Sequence, residues 1–291
     1  VGLPEKLEPE GVYAAVGEIF LTTSNGLYQS NGSVSPQWGK SFLLEGRITG
    51  VYPGRNGLYA CSYGGGLSQN VAGTGVWKNF QNELEEKMLR TVLETADGSI
   101  LVGCDHGIYK STDSGKTWKQ VFSGGIVLDL VASGDVLIGG GVQGVLRSTD
   151  GGEHWDWVLD ANILAKKTGL LHDGVLVTIL GTQDATKVNP DGITSRLRTS
   201  ADGGKTWQRL EKPLLPLQNT YDTDAKLSKM LDIYDIVQAG DQLFCSFDAG
   251  IFRSDDQGKT WELVLASPDK KAFRLAVSGQ IVYAVAGNSG C

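Results

Sequence analysis

The sequence predicts an all-β fold in which a four-stranded unit repeats along the chain and closes into a ring, and three observations predict it. The octapeptide Ser111-Thr112-Asp113-Ser114-Gly115-Lys116-Thr117-Trp118 recurs at 148–155, 200–207 and 254–261, with Ser, Asp, Gly and Trp at one spacing. Trp38 and Trp77 extend the series backwards, at a period of roughly 40 residues, to six repeats of blade size. Glycine accounts for 40 of 291 residues and proline for only 8, which suits many tight turns between strands and argues against a collagen-like chain or a linker. The chain therefore reads as a β-propeller of four-stranded antiparallel blades.

Each octapeptide follows a short apolar strand, such as Gly107-Ile108-Tyr109 or Gly250-Ile251-Phe252, and precedes another, such as Lys119-Gln120-Val121. It is thus a hairpin turn. A short carboxylate accepts hydrogen bonds from nearby backbone N–H groups, and glycine takes the positive φ that other residues resist. Tryptophan then opens the outgoing strand as a large apolar wedge with one N–H to satisfy. The third repeat divides into strands at 90–94, 100–103, 107–110 and 117–121, with Ala96-Asp97-Gly98 as a turn signal.

The third strand is repeatedly introduced by glycine and an apolar residue, as in Gly26-Leu27, Gly107-Ile108, Gly144-Val145 and Gly250-Ile251. In the first two repeats the strands survive while the turn has drifted. Residues 272–277 and 281–286 read as the first two strands of a seventh blade. The expectation is seven blades, the last completed by residues 1–9 as an outer strand or left open, with six blades as the alternative. Residues 1–291 are expected to form one domain.

The octapeptide resembles the Asp-box, Ser-x-Asp-x-Gly-x-Thr-Trp, or BNR repeat, of sialidases, sortilin-type receptors, xyloglucan-degrading hydrolases and photosystem assembly factors. The resemblance covers essentially the whole chain. It implies a propeller with its boxes on the periphery, remote from any catalytic pocket, so it bears on fold and not on activity. It also implies an exported, extracytoplasmic protein, periplasmic, lumenal or secreted.

A net charge of −7 argues against a general nucleic-acid binder, whose affinity comes from Lys and Arg on phosphates. No run approaches the roughly 20 apolar residues of a membrane helix, so the chain is not expected to span a membrane. Cys61, Cys104 and Cys245 fall near the same position of three repeats and read as buried thiols. Cys291 has no reading.

Several patterns suggest chemistry and have plainer explanations. Gly139-x-Gly141-x-x-Gly144 matches a dinucleotide fingerprint, but a strand and a box follow it where a helix is required. Gly-Lys-Thr recurs without the earlier glycine of a P-loop. The boxes lack the closing bidentate Glu of a calcium loop, and His106, His154 and His172 have no paired metal-ligand spacing. No cofactor, metal site or catalytic residue is assigned. The Phe-Arg-Ile-Pro motif of sialidases has no counterpart, the nearest segment being Gly46-Arg47-Ile48-Thr49.

Insertions point to a working face. With strands running up and down, the second-to-third loops and the blade-to-blade connections share one face, and the boxes lie on the other. The long insertions 183–195 and 212–229 belong to the first face, as do 82–87 and 161–166. Loops longer than about 12 residues in compact domains are usually functional or disordered. The candidate binding residues are therefore Asp184, Lys187, Asn189 and Asp191 in one insertion and Tyr221, Asp222, Asp224 and Lys226 in the other. An aromatic among carboxylates offers an anchor with a polar rim. The expected function is a non-catalytic interaction or assembly protein that docks a partner protein or complex there. The alternative is a carbohydrate-active protein, a lectin-like binder or a sialidase-like glycoside hydrolase. The assembly-factor resemblance carries over a role class only, because the arginine-rich patch of those relatives has no obvious counterpart here.

Overall fold

Period-two alternation around glycine-rich turns produces short antiparallel strands throughout. The computed structural model describes the chain except residues 1–7, 16, 25, 31–37, 43–45, 72–73, 75, 81–82, 160–162, 183–194, 211–232, 268, 270 and 288–291. The first blade is β1 (Pro9–Ala15), β2 (Glu18–Thr23), β3 (Gly26–Ser30) and β4 (Trp38–Phe42). The second is β5 (Arg47–Gly54), β6 (Gly57–Tyr63), β7 (Gly66–Val71) and β8 (Trp77–Asn79). The third is β9 (Leu89–Glu94), β10 (Ile100–Cys104), β11 (Gly107–Ser111) and β12 (Lys119–Phe122). The fourth is β13 (Val127–Ser133), β14 (Val136–Gly141), β15 (Gly144–Ser148) and β16 (Asp156–Leu159). The fifth is β17 (Ile163–Leu170), β18 (Leu176–Thr182), β19 (Ser195–Ser200) and β20 (Gln208–Arg209). The sixth is β21 (Ile233–Ala239), β22 (Gln242–Phe247), β23 (Gly250–Ser254) and β24 (Glu262–Ala266), and β25 (Ala272–Ser278) and β26 (Ile281–Gly287) follow.

In every blade the strands pair antiparallel in chain order. Each first strand lies against the first strand of the next sheet, and β25 lies against both β21 and β1, which closes the ring. Among the described residues the ring holds six complete blades, the count given above as the alternative, and a two-stranded sheet in seventh place. Two strands suffice for closure because neighbouring sheets meet chiefly through their inner strands. Completion by residues 1–9 lies outside the described residues, save that Pro9 pairs with Thr23 in the first blade.

The core is distributed around the ring. Six apolar clusters each span two adjacent sheets. Leu101 and Ile108 of the third blade, for example, meet Leu130, Leu137, Leu146 and Trp155 of the fourth. The first and seventh sheets share Val12, Leu21, Ala276 and Val285. The cysteines are buried free thiols on second strands, within one residue of a common register. Burial pushes the Cys104 thiol up to about 12 and raises those of Cys61 and Cys245 as well, which keeps them protonated and unreactive. Cys291 lies outside the described residues.

Glycine at the start of the third strand has a geometric cause. Gly107 and Gly250 sit at φ +126° and +139°, and a Cβ there would stand 1.9 and 2.0 Å from the carbonyl oxygens of Phe122 and Leu265. The outer strand crosses where a side chain would be. Gly139 to Gly144 occupies the end of β14, a turn and the start of β15, so the fingerprint pattern is strand and hairpin.

Candidate functional site

The Asp-boxes are turn chemistry. Ser111 Oγ accepts the Gly115 N–H at 2.8 Å and donates to Asp113 Oδ1, also at 2.8 Å. Asp113 in turn accepts the backbone N–H and the hydroxyl of Thr117 at 2.9 and 2.7 Å. Trp118 Nε1 donates to the Gly115 carbonyl at 3.1 Å. The same bonds recur at the other three boxes, with His154 Nδ1 replacing the threonine hydroxyl on Asp150. The Thr117 bonds hold Asp113 at about 2, and those of Thr260 do the same for Asp256. Being depressed, these carboxylates contribute stability above about pH 4 that is lost as pH falls through their folded values. The Ser and Asp side chains and the Trp N–H of each box are thus satisfied within the turn.

Asp184, Lys187, Asn189, Asp191, Tyr221, Asp222, Asp224 and Lys226 all lie outside the described residues. Their points of attachment do not. Residues 183–194 join β18 to β19, and 211–232 follow the last strand of the fifth blade and lead into β21. Strand alternation puts both connections on one face, opposite the boxes.

The inner strands also enter from that face, and near their starts they carry a charged cluster that sequence reading missed. In each complete blade the first-to-second strand register slips by one residue, as between Val127 and Asp129, Ala165 and Lys167, and Ile233 and Asp235. Such a bulge re-aims the side chain that follows it. The residue after the slip is Gly11, Gly50, Thr91, Asp129, Lys167 or Asp235, in ring order.

Three of these are charged, and they interact across blades. Lys167 Nζ lies 3.1 Å from Asp235 Oδ1, with side-chain exposures of 34% and 2%. Asp235 also accepts the N–H of Ile236 at 3.0 Å and, from the seventh sheet, that of Leu275 at 2.9 Å. Asp129 accepts the N–H of Thr168 at 3.0 Å, linking the fourth blade to the fifth. Tyr13 and Tyr52 donate to the carbonyls of Thr49 and Arg90 on the next inner strand at 2.9 and 3.1 Å. Arg274 of β25 is exposed yet acts electrostatically on Asp129, Lys167 and Tyr13, from three other inner strands. Arg274 thus lies within electrostatic reach of three other inner strands.

The electrostatics follow from this enclosure. Burial pushes Asp129 up to about 6 against the pull of Lys167, while Asp235 holds the Lys167 ammonium above the usual lysine range. Burial likewise raises the phenols of Tyr13 and Tyr52. An ionisable residue in an otherwise apolar strand, as in Val127-Leu128-Asp129-Leu130 or Ile233-Tyr234-Asp235-Ile236, was the available signal.

A raised carboxyl has a sign in stability. Between its ordinary value near 4 and about 6 the folded chain binds more protons at Asp129 than the unfolded chain does. Its contribution therefore falls as pH rises through that window and ends as a cost on the order of 2–3 kcal/mol at pH 7. Asp129→Asn, which still accepts from Thr168, is expected to flatten the stability profile across the window and raise stability at pH 7. Urea titrations at several pH values check this, and an unchanged profile would show that Asp129 is not enclosed.

A second polar group lies outward on the same face, between the second and third blades. Arg90 pairs with Asp105 at 2.7 Å and lies over the Tyr63 ring, whose hydroxyl donates to Asp105. His106 Nδ1 meets Glu86 Oε2 at 2.5 Å, and this contact raises the imidazole. Tyr234 and Asp248 make the corresponding contact in the sixth blade. Among the described residues no group of three or more His, Cys, Asp or Glu side chains is arranged to hold a metal. No helix among them is long and apolar enough to cross a membrane.

Blade topology and box geometry together define a β-propeller of the Asp-box type. A family model for the BNR/Asp-box repeat matches residues 252–263, the fourth box and its flanking strands. No curated protein matches the sequence. Solved structures do match its fold. YCF48 bound to D1 peptide is 18% identical, with 99% of this chain and 93% of that one covered and a TM-score of 0.64. An ancestral GH74 enzyme is 15% identical over 99% of this chain and 46% of its own, with a TM-score of 0.63. The extracellular domain of BT4673 from B. thetaiotaomicron is 10% identical over 98% of this chain and 38% of its own, with a TM-score of 0.68. This chain thus spans nearly the length of the first and less than half that of the other two. At such identities the likeness concerns the fold.

Proposed function

We propose that this chain is a non-catalytic interaction protein that docks a partner protein on the face to which residues 183–194 and 211–232 attach. The observation that carries this is convergence. The ends of β18 and β19 that residues 183–194 join, the start of β21 that residues 211–232 lead into, and the Arg90–Asp105–Tyr63 group all belong to one face. Long connections on a rigid ring are where binding residues concentrate, and Tyr221 with Asp222, Asp224 and Lys226 would supply an aromatic anchor and a polar rim. The likeness to YCF48, whose structure holds a peptide, and to extracellular sensor domains fits a peptide- or protein-binding role outside the cytoplasm.

Native purification with mass spectrometry identifies the partner, and deletion of residues 218–226 tests the face. The deletion is expected to leave the thermal transition nearly unchanged and to weaken the partner at least tenfold. Unchanged affinity would remove this loop from the docking face, and unfolding would make it structural.

The carbohydrate reading has one observation in its favour, the Asp129 carboxyl at about 6 near the Lys167–Asp235 ion pair. Against it, Asp129 and Asp235 are both engaged by backbone N–H groups that tie neighbouring blades together, which leaves neither placed as a free acid or nucleophile. Hydrolysis of aryl glycosides that Asp129→Asn abolishes would overturn the non-catalytic assignment.

A further inference from the structure

The joint between the third and fourth blades carries a charged cup on its box side. The cup has a volume of about 170 Å³, and its walls come from β11, the box after it, β12 and the box of the fourth blade. Every residue from 83 to 159 is described, so the whole surround of this joint within both blades is seen. Two ammonium groups converge there on one carboxylate. Lys110 Nζ lies 2.7 Å from Glu153 Oε1, and Lys119 Nζ lies 3.1 Å from Glu153 Oε2.

The two lysines differ in enclosure. The Lys119 side chain is 74% exposed and that of Lys110 only 7%, although both line the cup. An ammonium carries three N–H donors, and among the described residues Glu153 is the one hydrogen-bond acceptor of Lys110. Enclosed donors are as a rule paired, so the cup has to supply further oxygen acceptors. This need belongs to one joint. Arg147, which precedes the fourth box as Lys110 precedes the third, donates through Nε to the Gly203 carbonyl of the fifth blade at 2.7 Å. Glu153 is likewise an exception, because the other three boxes carry Lys116, Lys205 and Lys259 at its position.

We propose that this cup is a subsite for a neutral sugar ring. A pair of adjacent hydroxyls meets both demands of the site, since their oxygens accept from Lys110 while their protons go to the free lone pairs of Glu153. The Thr112 hydroxyl adds a further polar contact, and Trp118 and Val121 give the cup an apolar wall for the C–H face of the ring. A carboxylate or phosphate suits the site less well, because Glu153 already lies between the two ammonium groups and would face it at contact distance. The volume is well above the about 10–15 Å³ that admits a single water. The cup lies on the box side of the ring, so the proposal stands apart from partner docking on the opposite face.

Nuclear magnetic resonance titration of the ¹⁵N-labelled protein with the methyl glycosides of glucose, galactose and mannose is the test. At least one of the three is expected to shift the Trp118 indole N–H and the Lys119 amide saturably, with a roughly millimolar dissociation constant. Glu153→Gln is expected to weaken that binding at least tenfold, and Lys119→Ala, at a largely exposed position, provides a second variant whose folding circular dichroism verifies. Lys116→Ala, in the same box but outside the cup, is expected to leave it unchanged. No saturable shift with any of the three glycosides overturns the proposal and leaves water as the occupant. A shift produced by sodium acetate and by none of the glycosides overturns it in favour of an anion site. Glycoside binding indifferent to both Glu153→Gln and Lys119→Ala overturns it by placing the sugar elsewhere.

Discussion

Asp235→Ala is expected to lower the free energy of unfolding by about 3–5 kcal/mol, a large share of what holds an ordinary domain together. The carboxylate is almost wholly buried and joins three sheets. It pairs with Lys167 of the fifth blade, accepts from Ile236 in its own strand and accepts from Leu275 of the seventh sheet. Truncation leaves a lysine in the ring without its nearest counter-charge and two backbone N–H groups without an acceptor, each of which costs about 1–3 kcal/mol when buried. Solvent offsets part of this, since Lys167 is one-third exposed. Asp235→Asn is expected to lose less, because its amide oxygen still accepts one of the two N–H groups. Urea unfolding of the two variants checks the order, and equal, small losses would show that the inner strands close without this group. A double variant with Lys167→Met is expected to recover part of the loss, because the orphaned charge goes with it.

Trp155→Ala is expected to cost about 3–5 kcal/mol as well, by a different mechanism. The indole is 9% exposed, sits among Leu101, Ile108, Leu130, Leu137 and Leu146, and donates its N–H to the Gly152 carbonyl at 3.1 Å. Removing it opens a cavity at the joint between the third and fourth blades, where flanking strands can collapse only partly. Two residues on, Trp157 is a control. It is 40% exposed and meets Phe122 edge-on at 5.7 Å, a contact worth about 0.5–1.5 kcal/mol beyond its area. Thermal melts of both variants distinguish box wedge from surface aromatic, and comparable losses would mean that the box tryptophan is not the joint between blades. Neither variant is expected to alter binding at the loop-bearing face.

The two experiments probe two ways in which one ring is held. Outer halves of the blades are joined by apolar wedges at the boxes. Inner strands are joined by hydrogen bonds from side chains to the backbone of the next strand, as with Tyr13 on Thr49, Tyr52 on Arg90 and Asp129 on Thr168. Among the described residues, two hydrogen bonds of the inner kind join the seventh sheet to the sixth blade, Leu275 on Asp235 and Phe273 on Ser246. Closure there draws on polar groups.

The amino-acid sequence by itself determined the strands, the turns and the repeat. Strand limits in the third repeat and at residues 272–286 fall within one or two residues of those read from alternation and glycine, because these signals are local and repeat in register. The box chemistry was legible for the same reason, with all its partners inside eight residues. Tertiary structure alone decided the rest. The number of complete blades depends on which strand edges are covered, and the axial cluster draws Asp129, Lys167, Asp235 and Arg274 from four different inner strands. Equivalent positions carry glycine in the first two blades and threonine in the third, so no motif links them. Only closure of the ring brings those charges together.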